Sequence, residues 1–366
     1  MRKNRVGAGL VCAGLGAIVL LGAPGCSGGG GSGASRSDSK RARPAAEQDG
    51  VVHAMDIPSV PRAETREHAF ALLTAVSQTG SSEERANAVE GLSKSPARLA
   101  GVIQPALLSD NEGLKTVAAM AVGKAKLTAA AGAVAPLLND QSQWVRLAAL
   151  FALKRCGQSV DLTPLADALG SSSPRLRAHA VFLLGELGDA SALPMLRDLA
   201  REDLGKANPG EVKLLELEIA EARLKLGDEL ALAEVRTALY PAKQEDLEGA
   251  ILACQIAGQI RDKGSVNQLI QLAAQKDPAG QPQAPEVRLA AAGALAQMDY
   301  EGRKARFVAF EYFAGEKDTL RAQAAYVLGA SRDPSALGIL SRMMNDPVIR
   351  VRVAAAAAVV RMTDAE

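Results

Sequence analysis

The sequence predicts an all-α fold, a right-handed α-solenoid of about nine stacked helical hairpins. Three observations predict it. A basic residue followed by a small-residue helix, with Gly or Asp about eleven positions on, recurs every 30–40 residues. Each period holds two apolar stretches separated by Asp, Ser and Pro turn signals. Strand signals are nearly absent, and aromatic residues make up only 3% of the chain, so small and aliphatic side chains must build the core. A fixed period of this length marks a stacked repeat, which is a binding surface by default and not a globular enzyme core.

The repeat starts are Arg85, Lys115, Arg146, Arg177, Glu216, Ala250, Arg288, Arg321 and Arg352. Glu216 and Ala250 break the basic rule and are placed by the residues downstream of them. Lys225-Leu226-Gly227-Asp228 echoes Glu186-Leu187-Gly188-Asp189, and Ala257 to Asp262 echoes Leu184 to Asp189. In each unit the first helix is Leu-rich, as over Ala190–Arg201 and Ser335–Asn345. Asp140-Gln141-Ser142 and Asp346-Pro347 are typical of the turn after it. The second helix is Ala-rich and is stopped by signals such as Gly188-Asp189 or Asp333-Pro334. Alanine at helix contacts lets backbones approach closely, and no unit can bury its apolar face alone, so the stack supplies the core. The repeat body spans residues 61–366.

Val145-Arg146-Leu147-Ala148-Ala149, Val287-Arg288-Leu289-Ala290-Ala291 and Ile349 to Ala355, the last preceded by Asn345-Asp346-Pro347, resemble the HEAT repeat in its short bacterial form, found in phycobilin-lyase-like proteins. The resemblance covers roughly 64–366. It implies a ladder of turn acids and helix arginines six residues apart, bonding within and between repeats. Asp140 with Arg146 and Asp346 with Arg352 match that spacing. The regular basic residues are therefore expected to be structural.

Residues 1–25 read as a signal peptide. Arg2, Lys3 and Arg5 precede an apolar run from Val6 to Leu21, shorter than the roughly 20 residues a membrane span needs. Ala23-Pro24-Gly25 leads into Cys26, which resembles the bacterial lipoprotein signal and implies lipidation at Cys26. Ala23 and Pro24 depart from that family's preferred residues. Ser27 in place of Asp favours the outer membrane by the same resemblance. Residues 26–60 form a Gly/Ser/Pro-rich tether with a basic run of Arg36, Lys40, Arg41 and Arg43.

The formal charge is +1, and setting aside the three leader cations leaves the mature chain at −2. That balance argues against a nucleic-acid footprint. His53, His68 and His179 show no metal-ligand spacing, and no Cys-x2-Cys or phosphate-cradling loop is present. No catalytic residue, metal or cofactor is expected. Cys156 and Cys254 read as small buried hydrophobes.

Function is expected at departures from regularity. Insertions over Asp203–Glu211 and Asp277–Glu286 lengthen two intra-repeat turns, which makes Asp203, Pro209, Asp277 and Pro282 candidate partner contacts. Trp144, the single tryptophan, and Tyr312, in the aromatic helix of Phe307 to Phe313, are candidate anchors. The C-terminal helix ends without a polar cap. It should therefore be covered or associate, so a homo-oligomer is possible. The expected function is a non-enzymatic, membrane-anchored scaffold, adaptor or assembly factor that binds proteins of the bacterial cell envelope. Alternatives are a chromophore- or cofactor-handling lyase-like protein and a passive structural spacer.

Overall fold

The computed structural model describes residues 60–202, 208–300 and 302–363. The leader, Cys26 and nearly all of the tether lie outside the described residues, as does Asp203. Nineteen α-helices and short 3-10 turns make up the described chain, with one isolated bridge between Lys276 and Pro282 and no β-strand. Among them no helix is long and apolar enough to cross a membrane.

The helices alternate between an outer and an inner layer. The outer elements are α1 (Arg62–Thr79), α3 (Pro96–Ala100) with α4 (Ile103–Leu107), α6 (Ala131–Val134), α8 (Thr163–Leu169), α10 (Leu193–Leu199), α12 (Leu232–Ala238), α14 (Val266–Ala273), α16 (Gly302–Tyr312) and α18 (Ala336–Met343). The inner helices are α2 (Ser82–Leu92), α5 (Glu112–Ala125), α7 (Gln143–Arg155), α9 (Pro174–Leu187), α11 (Pro209–Lys225), α13 (Leu247–Gln259), α15 (Pro285–Gln297), α17 (Asp318–Ala330) and α19 (Ile349–Thr363). Each of the nine sequence-derived repeat starts falls in one inner helix.

Local chemistry sets the helix starts. Ser81 caps α2 in a capping box with Glu84, and Asn111 and Ser173 cap α5 and α9 through their side chains. Prolines occupy the first turn of α9, α11 and α15, where no amide donor is needed.

Neighbouring inner helices pack side by side in chain order, and the last one, α19, packs on both α1 and α2. The solenoid therefore closes into a ring. Arg62 donates to the Met362 carbonyl at 3.3 Å, and Arg350 pairs with Glu83 at 3.1 Å across the closing seam. The expected uncapped C-terminal end is thus covered by the chain's own first hairpin, which removes the need for a second copy to cover it. Nine wedge-shaped units completing a turn need a mean rotation of about 40° each, a small per-repeat angle of the kind that sets solenoid curvature.

The inner seams are of two kinds. Glycine stands eight residues after the repeat start in α5, α9, α13 and α17. A Cβ added at Gly123, Gly185, Gly258 or Gly329 would meet the next inner helix at Ala152, Ala222, Ala294 or Ala358, at 3.0 Å or less. These four tight seams alternate with wider ones, so units two to nine form four close pairs. At the closing seam Val360 takes the glycine's place in α19. There the partner helix supplies Gly91, whose Cβ would lie 3.2 Å from Ala357. Gly258→Ala should cost about 1–3 kcal/mol, because its methyl would sit 2.7 Å from the Ala294 backbone, which cannot rotate away. A denaturant midpoint equal to that of the parent protein would refute the tight seam.

Polar ladders tie the same seams. The Asp140 carboxylate accepts from Lys115 of the preceding unit and from the Ser142 amide, whereas Arg146 donates to the Asp140 and Gln141 backbone carbonyls at 2.7 and 2.9 Å. Asp346 repeats this with Arg321 at 2.8 and 3.0 Å, and Arg352 donates to the Asp346 carbonyl at 3.1 Å. The Arg thus serves its own turn's backbone, and the acid's side chain serves the unit before. A second ladder joins outer helices to the next unit. Arg197 reaches Asp228 at 2.9 Å, Arg236 reaches Asp262 at 2.6 Å, and Arg306 reaches Asp333.

Candidate functional site

All inner helices run the same way, so their C-terminal ends gather at one rim. There they surround a cavity of about 550 Å³. Lys94 and Glu90 come from the end of α2 and the turn after it, Lys124 from α5, Arg155 from α7 and Glu186 from α9. Arg261, Asp299 and Arg332 come just after α13, α15 and α17, and Arg361 closes the circuit on α19. Six cations thus face three carboxylates. Cations in a helix's last turn interact favourably with the unsatisfied carbonyls there.

The carboxylates are engaged. Glu90 lies 3.6 Å from Lys124, and Glu186 lies 2.7 Å from Lys225, which also pairs with Glu221 at 2.7 Å. Asp299 is 3.9 Å from Arg261. Lys124 and Lys225 both stand over the Phe182 ring, at 5.6 and 5.2 Å, and Arg361 stands 4.6 Å over Tyr326. Desolvation, then Arg361 and Lys124, hold the Lys94 ammonium below its ordinary pKa.

The turns at this rim need a left-handed residue. Gly157, Gly188 and Gly227 provide it after α7, α9 and α11. Lys126, Arg261, Asp299 and Arg332 adopt it after α5, α13, α15 and α17, with φ between 49° and 56°. A long L side chain is disfavoured there relative to glycine.

The residues singled out in the sequence lie elsewhere. Pro209 opens α11, and Asp277 and Pro282 belong to the turn between α14 and α15, both at the rim opposite the cavity. The Asp277 carboxylate accepts from the Gln281 amide at 2.7 Å, which folds that turn on itself. Trp144 is half-buried and stacks on His179 of the next inner helix, with ring centroids 4.8 Å apart. Burial lowers the pKa of His179 to about 4, so it is neutral at pH 7. The Tyr312 hydroxyl accepts from Arg288, which also pairs with Glu311 at 2.8 Å. The exposed ring of that helix is Phe307. Cys156 and Cys254 are both buried and unlinked, and burial pushes the Cys254 thiol up to about 12. No cluster of His, Cys, Asp and Glu suited to a metal ion occurs among the described residues.

Sequence reading missed the cavity because its wall is drawn from eight helices spread from residue 87 to residue 361. The signal was present as charged residues where the rim turns elsewhere use glycine.

The HEAT-repeat family model matches residues 132–207. This part of the chain carries HEAT repeats. The HEAT match runs through α7, α8, α9 and α10, two inner helices and the outer elements beside them. No curated protein sequence matches the chain. Among solved structures the chain is similar to the complex of CpcE and CpcF of phycocyanin lyase from Nostoc sp. PCC7120, at 19% identity and a TM-score of 0.35, covering 71% of this chain and 94% of that one. It is also similar to human deoxyhypusine hydroxylase in complex with glycerol, at 18% identity and a TM-score of 0.33, covering 83% and 98%. An engineered protein is similar at 16% identity and a TM-score of 0.32, covering 84% and 93%.

Proposed function

We propose that the protein is a lipid-anchored scaffold or assembly factor of the bacterial cell envelope, which presents a HEAT-type ring to a protein partner. The leader of residues 1–25, Cys26 directly after it and the tether that follows support the anchor, with Ser27 favouring the outer membrane. The observation that carries partner binding is the distribution of exposed apolar side chains. Of the seven large ones exposed among the described residues, six lie between Met195 and Phe307. They include Leu230, Tyr240 and Phe307, which are 79%, 66% and 56% exposed. These side chains fall on four consecutive units, one sector of the ring, and exposed aromatic rings such as Tyr240 and Phe307 are of the kind enriched at protein contacts.

The test is affinity capture from solubilised envelopes with wild type, a Leu230→Glu/Phe307→Glu variant, and a variant charged outside the sector at Leu108→Glu. A partner retained by the control and lost in the sector variant is the expected result. Identical capture by all three removes the assignment. Cys26→Ser should move the protein from the membrane to the soluble fraction; continued membrane retention refutes the anchor.

The 550 Å³ cavity supports a second reading, handling of a small molecule inside the ring.

A further inference from the structure

We propose that the cavity at the C-terminal rim of the ring binds a small polyanion, a molecule carrying two or more phosphoryl or carboxylate groups. Its volume falls in the range of pockets that enclose small ligands, and is too confined for a folded partner. Its charge is unbalanced in one direction. Each lining carboxylate already has a cation within 4 Å, whereas the side chains of Lys94 and Arg332 have no hydrogen bond or ion pair among the described residues. Lys94 is crowded by Arg361 and Lys124, a repulsion that a bound anion would turn into attraction. Arg155, Arg261, Arg332 and Arg361 all line the cavity, and the planar fork of a guanidinium matches phosphate and carboxylate oxygens.

The backbone supplies an independent observation. Arg261 and Arg332 hold the left-handed conformation that Gly157, Gly188 and Gly227 fill at the equivalent turns of other units. Lys126 and Asp299 hold the same conformation, Lys126 outside the cavity wall, so what sets Arg261 and Arg332 apart is a cation at the strained position that also borders the cavity. Each of these two strained arginines borders the cavity, a placement that local folding preference opposes.

The experiment is calorimetric titration of the full-length protein at low ionic strength with tripolyphosphate and, separately, citrate. One saturable site per chain for at least one of them is expected; whichever binds identifies the anion as phosphoryl or carboxylate. Arg261→Gly and Arg332→Gly should each weaken that site about tenfold. Both place glycine where the backbone favours it, so their melting temperatures should equal or exceed that of the parent, and lost binding cannot be lost folding. Lys126→Gly makes the same backbone change outside the cavity wall and should leave affinity unchanged. The inference is overturned if neither anion saturates, if the two arginine variants bind as well as the parent, or if only anionic phosphatidylglycerol vesicles bind. The last outcome would assign the basic rim to a membrane surface.

Discussion

A Gly91→Cys/Ala357→Cys variant should form an intramolecular disulfide on mild oxidation. A Cβ built at Gly91 lies 3.2 Å from that of Ala357, a few tenths of an ångström inside the usual separation for a bridge, and both positions face the cavity, where oxidant can reach them. The bond would span the closing seam and tie the first hairpin to the last helix. Cross-linking residues so far apart in sequence constrains the unfolded chain strongly, so stability should rise by about 4 kcal/mol. Peptide mapping that recovers the 91–357 link in monomeric protein, with a higher denaturant midpoint, is the expected outcome. Free thiols or linked dimers would mean that the solenoid is open. Closure has a mechanical consequence as well. An open solenoid frays from its terminal units, whereas each unit here has two neighbours, so amides of α1 and α19 should exchange as slowly as those of α9.

Asp228→Asn should be among the most destabilising single substitutions, at about 3 kcal/mol. The Asp228 side chain is 2% exposed and accepts from Arg197 at 2.9 Å and from Arg223 at 3.1 Å. The Arg223 side chain is itself only 10% exposed and also holds Glu234 at 2.7 Å. Neutralising the acid leaves a buried guanidinium short of its counter-charge, and an uncompensated buried charge costs more than the pair gained. The same group makes the ring acid-labile. Arg197, then Arg223, depress the Asp228 pKa from 3.8 to about 2, against burial, which raises it. A carboxylate whose folded pKa is depressed contributes stability that is complete above its unfolded value and is lost as the pH falls through the folded one. That window is about pH 4 down to 2. Asp140, Asp246, Asp262 and Asp346 also join neighbouring units and are all shifted down, so their contributions fade in the same direction. The melting temperature should be level near neutrality and drop steeply below pH 4, and Asp228→Asn should flatten part of that drop. An unchanged acid profile in the variant would show that Asp228 is not a principal coupling point.

The hairpins themselves were legible in the sequence because helix formation, capping and turn chemistry are local. Ser81 with Glu84, Asn111 and the first-turn prolines act within a few residues of where they stand. The repeat starts were legible even at Glu216 and Ala250, because the turn signals Gly227-Asp228 and Arg261-Asp262 survived where the basic residue did not. The six-residue spacing of Asp140 and Arg146 was visible too. Its bonding was not, because which oxygen an arginine reaches depends on how the turn folds over the helix.

Tertiary structure alone decided the ring and the cavity. Closure is a sum of small rotations over nine interfaces, and no single interface encodes it. The alternation of Gly258-type seams with wider ones, and the pairing of Val360 with Gly91 at the last seam, make sense only once the two ends are known to meet. The basic wall is likewise a property of the closed form. Lys94, Arg155, Arg261, Arg332 and Arg361 are spread over most of the repeat body in sequence, each an ordinary cation at a helix end. They share one volume because the helices that carry them run parallel around a circle, which brings every C-terminal end to the same side of it.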